Sequence, residues 1–436
     1  MHDFPEAVIQ MSIPILRPLA IRNFALLWSG SFISMVGDQL TLIAFPWMVL
    51  KLTGDPLAMG TVLALAGIPR ALFMVFGGAI TDRFSARTIM FWSNIGRMLL
   101  MVVLCYLVFS HSISLPIIYL AALLFGMVDA FFWPASSAIV PQLVDEERLH
   151  AANALIQGTA EMSVMAGPFV AGLVIALFSG DPASDSVDLT GIAMVFGIDT
   201  VTFMVSAITL AMIRLQPVRA HDTPFSMQAM LDSVYAGFKA MWKDMPLRIL
   251  TLVFMIFTLF WRGPYLIGIP VLCDSRFPEG ALAYGMIASA FGVGAFIGTV
   301  AGGSLPKLRD EWLGFLVLAD TLILGTSFLV YAVTPTVIWA ALMTTLCGVL
   351  DGYLIVILIS WIQLRVPTEL LGRVMSMIMF FNAGLAPVSA ALAGAFIAWS
   401  LTGVFVIAGI SLVLLSLLDF CFPLTRRMGI DQRAAT

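Results

Sequence analysis

The chain has 436 residues, of which 60% are hydrophobic and 11% charged, with 26 methionines and a mean hydropathy of +1.01. That composition excludes a water-soluble globule, because too few polar residues exist to build a hydrated shell. A net charge of -4 gives no reason to expect a nucleic-acid partner, and the chain reads as an integral membrane protein.

A bilayer core takes about 20 apolar residues per helix. Runs of that length, separated by Gly, Pro or charge, predict twelve spans: 24–50, 57–80, 88–110, 114–140, 151–178, 190–214, 247–272, 281–303, 313–333, 336–363, 368–397 and 402–423. No basic stretch and small-residue cleavage site precede the first run, so no removable signal peptide is expected, and an even number of spans puts both termini on one side. Only Lys51 and Arg276 fall on the opposite side, and Arg70, Arg97 and Arg262 lie within spans. The other Lys and Arg residues lie on the termini and the even-numbered connections, which the positive-inside rule makes cytoplasmic.

The longest polar interruption, 215–246, separates six spans from six. The expected organisation is a cytoplasmic N-terminus (1–23), a six-helix bundle (24–214), a linker (215–246), a second bundle (247–423) and a cytoplasmic tail (424–436). Sliding the second half onto the first by 222 to 225 residues superposes Pro46 on Pro270, Gly60 on Gly285, Gly77-Gly78 on Gly302-Gly303, and Asp129 on Asp351. Two parallel six-helix repeats are one transporter plan, with the site near the midplane where the halves meet. Within the linker, Thr223 and Pro224 resemble a helix start. Met227, Met230, Val234, Phe238 and Met241 then recur at helical spacing, predicting a surface amphipathic helix.

Four cysteines (Cys105, Cys273, Cys347, Cys421) form no metal-type spacing, and the four histidines stand apart, so no metal site is expected. No cofactor and no enzymatic motif are legible either. The glycine string at 292–298 lies inside a span with no strand before it, so it is not a nucleotide loop.

Between the second and third spans, "GGAITDRFSARTIM" brings Asp82, Arg83 and Arg87 together. The major facilitator superfamily has at this place a glycine, three residues, then D-R-x-G-R-R. The chain resembles that family, matching at Gly78, Asp82, Arg83 and Arg87, with Ser85 for the glycine and Thr88 for the second base. The runs "FALLWSGSFISMVGDQLTLIAFPWMV" and "FFWPASSAIVPQLVDEERLHAANAL" are similar to its bacterial macrolide-efflux and siderophore-exporter branch, and the resemblance covers about 20–423. It implies an all-α fold of twelve membrane helices in two pseudo-symmetric bundles, with helices 1, 4, 7 and 10 around a cavity. Asp82 is then expected near the start of helix 11, Glu369 to Arg373, as a cytoplasmic gate. On helix 5, Gly158, Gly167, Pro168 and Gly172 resemble the family's proton-antiporter pattern. Many of its antiporters carry an arginine on helix 4 just before the glycine matched by Gly126, where this chain has Ala122 and Leu123.

Ionisable residues inside a bilayer are costly unless paired, hydrated or neutral. Here Asp38, Asp129, Glu161, Asp199, Asp320 and Asp351 outnumber Arg70, Arg97 and Arg262. At about 1.5 Å per residue, Asp38, Asp129 and Arg70 sit near the midplane. Asp38 is the leading candidate proton carrier, followed by Asp129 and Asp351. Its symmetry relation to Arg262 suggests a pair across the two-fold axis, with pairing to Arg70 as the structural alternative. Glu161, Asp199, Asp320 and Arg97 are read as structural, with Arg97 to Glu161 a possible bridge. Trp47, Trp133, Trp261, Tyr265 and Tyr353, with Asp38, Asp129, Arg262 and Asp351, form the expected substrate cavity, and Trp361 lies on the same helices.

The expectation is a monomeric inner-membrane transporter of bacteria that exports a lipophilic or amphipathic small molecule in exchange for protons. The rival expectations are an uptake carrier or lysolipid flippase of the same fold, and a membrane sensor that moves nothing.

Overall fold

The computed structural model describes residues 14–81, 84–179, 188–214, 238–239, 242–304, 312–366 and 368–421. After a 3-10 turn over Pro14–Ala20, the first bundle comprises α1 (Arg22–Thr53), α2 (Pro56–Thr81), α3 (Ala86–Phe109), α4 (Leu115–Ile139), α5 (Glu146–Phe178) and α6 (Thr190–Met212). The second begins with α7, which runs from Met245–Gly263 through a π-helical turn, Pro264–Gly268, into Ile269–Arg276. It continues with α8 (Ala281–Ser304), α9 (Leu313–Val333), α10 (Val337–Arg365), α11 (Thr368–Ile397) and α12 (Leu401–Cys421). Most of the amphipathic helix expected in the linker lies outside the described residues. Of that segment, Phe238 is described, stacked on Trp242 with ring centroids 5.1 Å apart.

Local chemistry sets the helix ends. Gly54 takes a left-handed φ of 62° and closes α1 by donating its N–H to the Leu50 carbonyl. That conformation is cheap only for a residue without Cβ. Asp55 then accepts the N–H of Leu57 at 2.8 Å, and Pro56 fills the first position of α2, where its missing N–H costs nothing. At the start of α7, Asp244 accepts from Leu247 N–H at 3.1 Å and is gripped by Arg365 of α10 at 3.1 Å.

Within each bundle the helices pack through small residues. A Cβ on Gly126 of α4 would strike the Ala66 carbonyl of α2, and one on Gly298 of α8 the Val349 carbonyl of α10. In a bilayer, where lipid tails are as apolar as leucine, such close approach is what holds helices together. The bundles meet along two seams, α5 against α8 and α2 against α11. A Cβ on Gly172 would lie 2.5 Å from the Ala281 carbonyl oxygen, and one on Gly60 2.7 Å from that of Ala390. Phe169 N–H donates to Ser289 Oγ across the first seam at 2.8 Å.

Among the described residues, these close approaches between bundles all lie in the half of the molecule remote from the termini. At that end Lys51 of α1 pairs with Asp274 of α7. Trp47 stacks on Tyr284 at 6.3 Å, and Lys51 also lies over the Trp47 ring at 5.3 Å. Toward the termini, a Cβ on Gly158 of α5 or Gly384 of α11 would meet nothing within 4 Å. One end is closed between the bundles, and at Gly158 and Gly384 the described backbone borders open space.

Two glycines of α5 therefore make opposite predictions. Gly172→Val should overpack the seam and cost about 1–3 kcal/mol, seen as a lowered unfolding temperature of the purified protein. Gly158→Val, entering open space, should leave that temperature nearly unchanged. Equal effects at both positions would contradict the closed-end packing.

Candidate functional site

The site is organised by a buried arginine. Arg97 of α3 has 0% side-chain exposure, and its guanidinium lies between the rings of Phe132 of α4 and Phe203 of α6, at 4.2 and 4.6 Å from their centroids. Aromatic faces tolerate a cation through their quadrupole, and do so best where water is excluded. One turn earlier on the same helix, Asn94 accepts from Nη2 at 2.5 Å and donates to Ser206 of α6 at 2.8 Å.

The other terminal nitrogen of Arg97 serves two carboxylates. Nη1 donates to Asp129 Oδ1 of α4 at 3.1 Å and to Asp38 Oδ1 of α1 at 3.4 Å. Asp129 is further held through Oδ2 by Arg70 of α2 at 3.3 Å, and its side chain is 8% exposed. Asp38 has the longer contact, and its side chain is 32% exposed. Of the two acids, Asp38 is held less tightly and is open to small species from outside the packed core.

Asp199 of α6 is satisfied without a base. It accepts from Thr41 at 2.5 Å and from Thr202 at 2.8 Å. Gly37 permits this, since a Cβ there would strike the Asp199 carboxylate.

On the facing bundle, Arg262 of α7 lies 4.8 Å from the centroid of the Trp261 ring and has Asp351 of α10 as its charge partner. Trp261 stacks with Tyr265 at 5.3 Å and meets Phe291 of α8 at 5.7 Å. Arg262 sits immediately before the π-helical turn. Such a widened turn re-aims backbone groups and is frequent at functional positions.

Several expectations need revising on this geometry. Asp38 does not pair with Arg262 across the two-fold relation, nor with Arg70. Its partner is Arg97, which sequence reasoning had treated as structural and had matched with Glu161. Glu161 instead accepts from Gln157, one turn away, at 3.0 Å. Trp47 is buried at the closed end, stacked on Tyr284 rather than on an open cavity wall. Trp133 is exposed and Trp361 is packed in the second bundle's core, while Tyr353 is half-buried. In the expected gate, Arg87 spans from α3 to the end of α6, donating to the Leu210 and Ala211 carbonyls at 2.7 Å each. A cation at a helix C-terminus satisfies its last carbonyls and complements the dipole. Asp82 and Arg83 lie outside the described residues, and Gly78 is in α2 with its surroundings undescribed. On α5, Gly167 packs against Gln39 of α1, whereas the Pro168 carbonyl and Gly172 meet Gly285 of α8. Among the described residues no group of His, Cys, Asp and Glu could hold a metal ion.

Residues 27–391 match the Major Facilitator Superfamily. The multidrug efflux pump Tap of Mycolicibacterium fortuitum is 23% identical over 426 residues, covering 95% of this chain and 98% of that one. The enterobactin exporter EntS of Shigella flexneri is 24% identical over 353 residues, covering 80% and 79%. Among solved structures, the nucleoside transporter NupG superposes with a TM-score of 0.70 at 13% identity, over 92% of this chain and 99% of that one. A POT family transporter in complex with 5-aminolevulinic acid gives 0.67 at 14% identity, over 94% and 96%.

Removing a buried charge from a paired set leaves its partners uncompensated, which costs about 3–5 kcal/mol. Arg97→Met should therefore destabilise the purified protein by that amount in a denaturation series. Adding Asp38→Asn, which removes the carboxylate left without a base while Asp129 keeps Arg70, should recover most of the loss. A double variant no more stable than the single would show that the cluster is not electrostatically coupled.

Proposed function

The chain belongs to the Major Facilitator Superfamily and is a multi-pass membrane transporter, not an enzyme, and we propose that it exports lipophilic or amphipathic small molecules by proton antiport. The observation that carries this reading is the competition built around Arg97: one guanidinium nitrogen holds two carboxylates, and the weaker-held of them, Asp38, is only half-buried.

An exchanger needs a group that binds proton or cargo but not both. Protonating Asp38 neutralises it and weakens its 3.4 Å contact with Arg97, while Asp129 stays in contact with two arginines. A cationic or polar group of the cargo arriving at ionised Asp38 competes with that same proton. Asp38 is then the principal proton group, Asp129 sets the position of Arg97, and Asp351 acts on the facing bundle with Arg262. Half-buried Tyr265 offers an aromatic face to an apolar cargo, backed by Trp261, which is itself buried in the core rather than on the cavity wall. The drug efflux and siderophore export named for the two relatives support amphipathic cargo and outward movement.

The seams support a reading of alternating access. With the basic termini and connections in the cytoplasm, the closed end of Lys51, Asp274, Trp47 and Tyr284 faces outward, and the opposite end inward. We read the two six-helix bundles, 24–214 and 247–423, as the moving bodies, joined by the 215–246 linker. The α5 set, Gly167, Pro168 and Gly172, seals the outer half, which prevents a through-pore and so a proton leak. Gly78, Asp82, Arg83 and Arg87 are assigned to the gate at the opposite, cytoplasmic end. The setting is the bacterial inner membrane, with the monomer as the working unit.

The test uses inside-out vesicles energised with a proton gradient, to which a lipophilic cation, a macrolide and a catechol siderophore are added in turn. The expected outcome is proton release triggered by at least one of the three. Asp38→Asn should reduce that release to the background of empty vesicles while the protein remains in the membrane. Equal release from the variant would remove Asp38 from the proton path, and silence with all three would contradict this cargo class.

A further inference from the structure

We propose that the second bundle carries its own proton-binding site, in which Asp320 and Asp351 share one proton beside Arg262. It repeats the Asp38, Arg97 and Asp129 cluster with two of the three signs exchanged. The inference deepens the proton-coupled reading and rests on it for its role in transport; the binding of the proton itself does not.

The repeat brings the two clusters into register. Arg262, Asp320 and Asp351 follow Asp38, Arg97 and Asp129 by 224, 223 and 222 residues. The first bundle places an acid, a base and an acid on its first, third and fourth helices; the second places a base, an acid and an acid on α7, α9 and α10. The repeated backbone thus presents three ionisable positions at matching depths in each half, with two of the three signs exchanged.

The exchange keeps one base and two acids at the three positions, and the charge balance changes through Arg70. In the first cluster Asp38 and Asp129 face two guanidiniums, Arg70 and Arg97, and the third nearby carboxylate, Asp199, is held by Thr41 and Thr202. The position 223 residues after Arg70 is Val293, so the second cluster lacks a counterpart to that base. Among the described residues Arg262 is the base that acts on Asp351, beside which Asp320 and, from α5, Glu161 bring further negative charge. Asp320 is only 4% exposed, and its Oδ1 is buried with no hydrogen-bond partner. An uncompensated buried carboxylate costs several kcal/mol, and the smallest species that removes the excess charge is a proton.

The neighbours of Asp320 offer no other compensation. From α10 it faces Asp351 and the Cys347 thiol. From α7 the cluster includes Arg262, which interacts with Asp351, and the Tyr265 hydroxyl. From α12, Ser416 is committed to the Leu318 carbonyl at 2.8 Å, and the ionisable residues of that helix, Asp419 and Cys421, lie at its end. On α9 itself Tyr331 is bonded to Thr344 of α10 at 2.7 Å, which also fixes the register of the two helices. One proton bound to either carboxylate removes the excess charge of the pair, and the remaining negative charge balances Arg262. Two interacting carboxyls of this kind titrate as a pair. Asp351, half-buried, is the member through which the proton enters.

The experiment counts protons released by the purified full-length chain in lipid nanodiscs on a jump from acid to alkaline pH, with carboxylic-acid bands followed by infrared spectroscopy. Asp320→Asn should release one proton fewer per chain and lose an acid band. Asp351→Asn should also release one fewer, because the acid that remains is balanced by Arg262. The double variant should lose one proton, not two. Asp38→Asn, measured in parallel, reports on the first bundle, so a wild-type count there with a one-proton loss at Asp320 would overturn the Asp38 reading and leave this one standing. A wild-type count in both Asp320→Asn and Asp351→Asn, or a two-proton loss in the double variant, would overturn the shared site.

Discussion

A guanidinium with no exposed surface, in a protein surrounded by hydrocarbon, has to be balanced by its own fold. Arg97 meets that constraint with two carboxylates, one amide and two aromatic faces drawn from α1, α3, α4 and α6. The first bundle is therefore tied at its centre by charge rather than only by small-residue packing. Arg70 adds α2 to the same set. Any change in the protonation of Asp38 alters the interactions of Arg97, and Arg97 touches most of the bundle. This gives a single protonation event a structural route to helix positions.

The two bundles, by contrast, are held together by close backbone approach. Gly172, Gly285, Gly60 and Gly394 let main chains meet where a side chain would intrude. The exposed pair of Lys51 and Asp274 adds little energy, since solvent-accessible ion pairs contribute at most about 1 kcal/mol. Weak interactions of this kind suit a seam that has to part and re-form. The strong electrostatics are kept within the bundles, and the interface between them is shallow enough to reverse.

Much of the fold was legible because bilayer thickness imposes helix length. The spans expected at 313–333 and 368–397 coincide with α9 and α11. The seventh extends beyond its expected limit, to Arg276, because the π-helical turn at Pro264–Gly268 carries the helix past its prolines. The site was legible in depth but not in direction. Counting residues put Asp38 and Asp129 near the midplane. It could not tell which face of α3 carried Arg97, so the base that joins them was taken for scaffolding, and Arg262 was matched to Asp38 by symmetry alone. Trp47 illustrates the same limit: its helix borders the centre, yet its position near the end of α1 places it in the closed seam with Tyr284. Composition gave no sign that Asp320 would lack a partner, because that depends on where α9 meets α10.

The account's central claim is that the charge state of Asp38, read through Arg97, governs which end of the molecule is open. The direct measurement is the distance between spin labels at Gly158→Cys of α5 and Gly384→Cys of α11, in a chain whose four native cysteines are replaced. Both positions face open space on opposite bundles, so the labels perturb little. The account predicts a distance distribution that shifts between acid and alkaline pH and ceases to shift when Asp38→Asn is added. A distribution indifferent to pH, or one that shifts equally with and without Asp38, would contradict it.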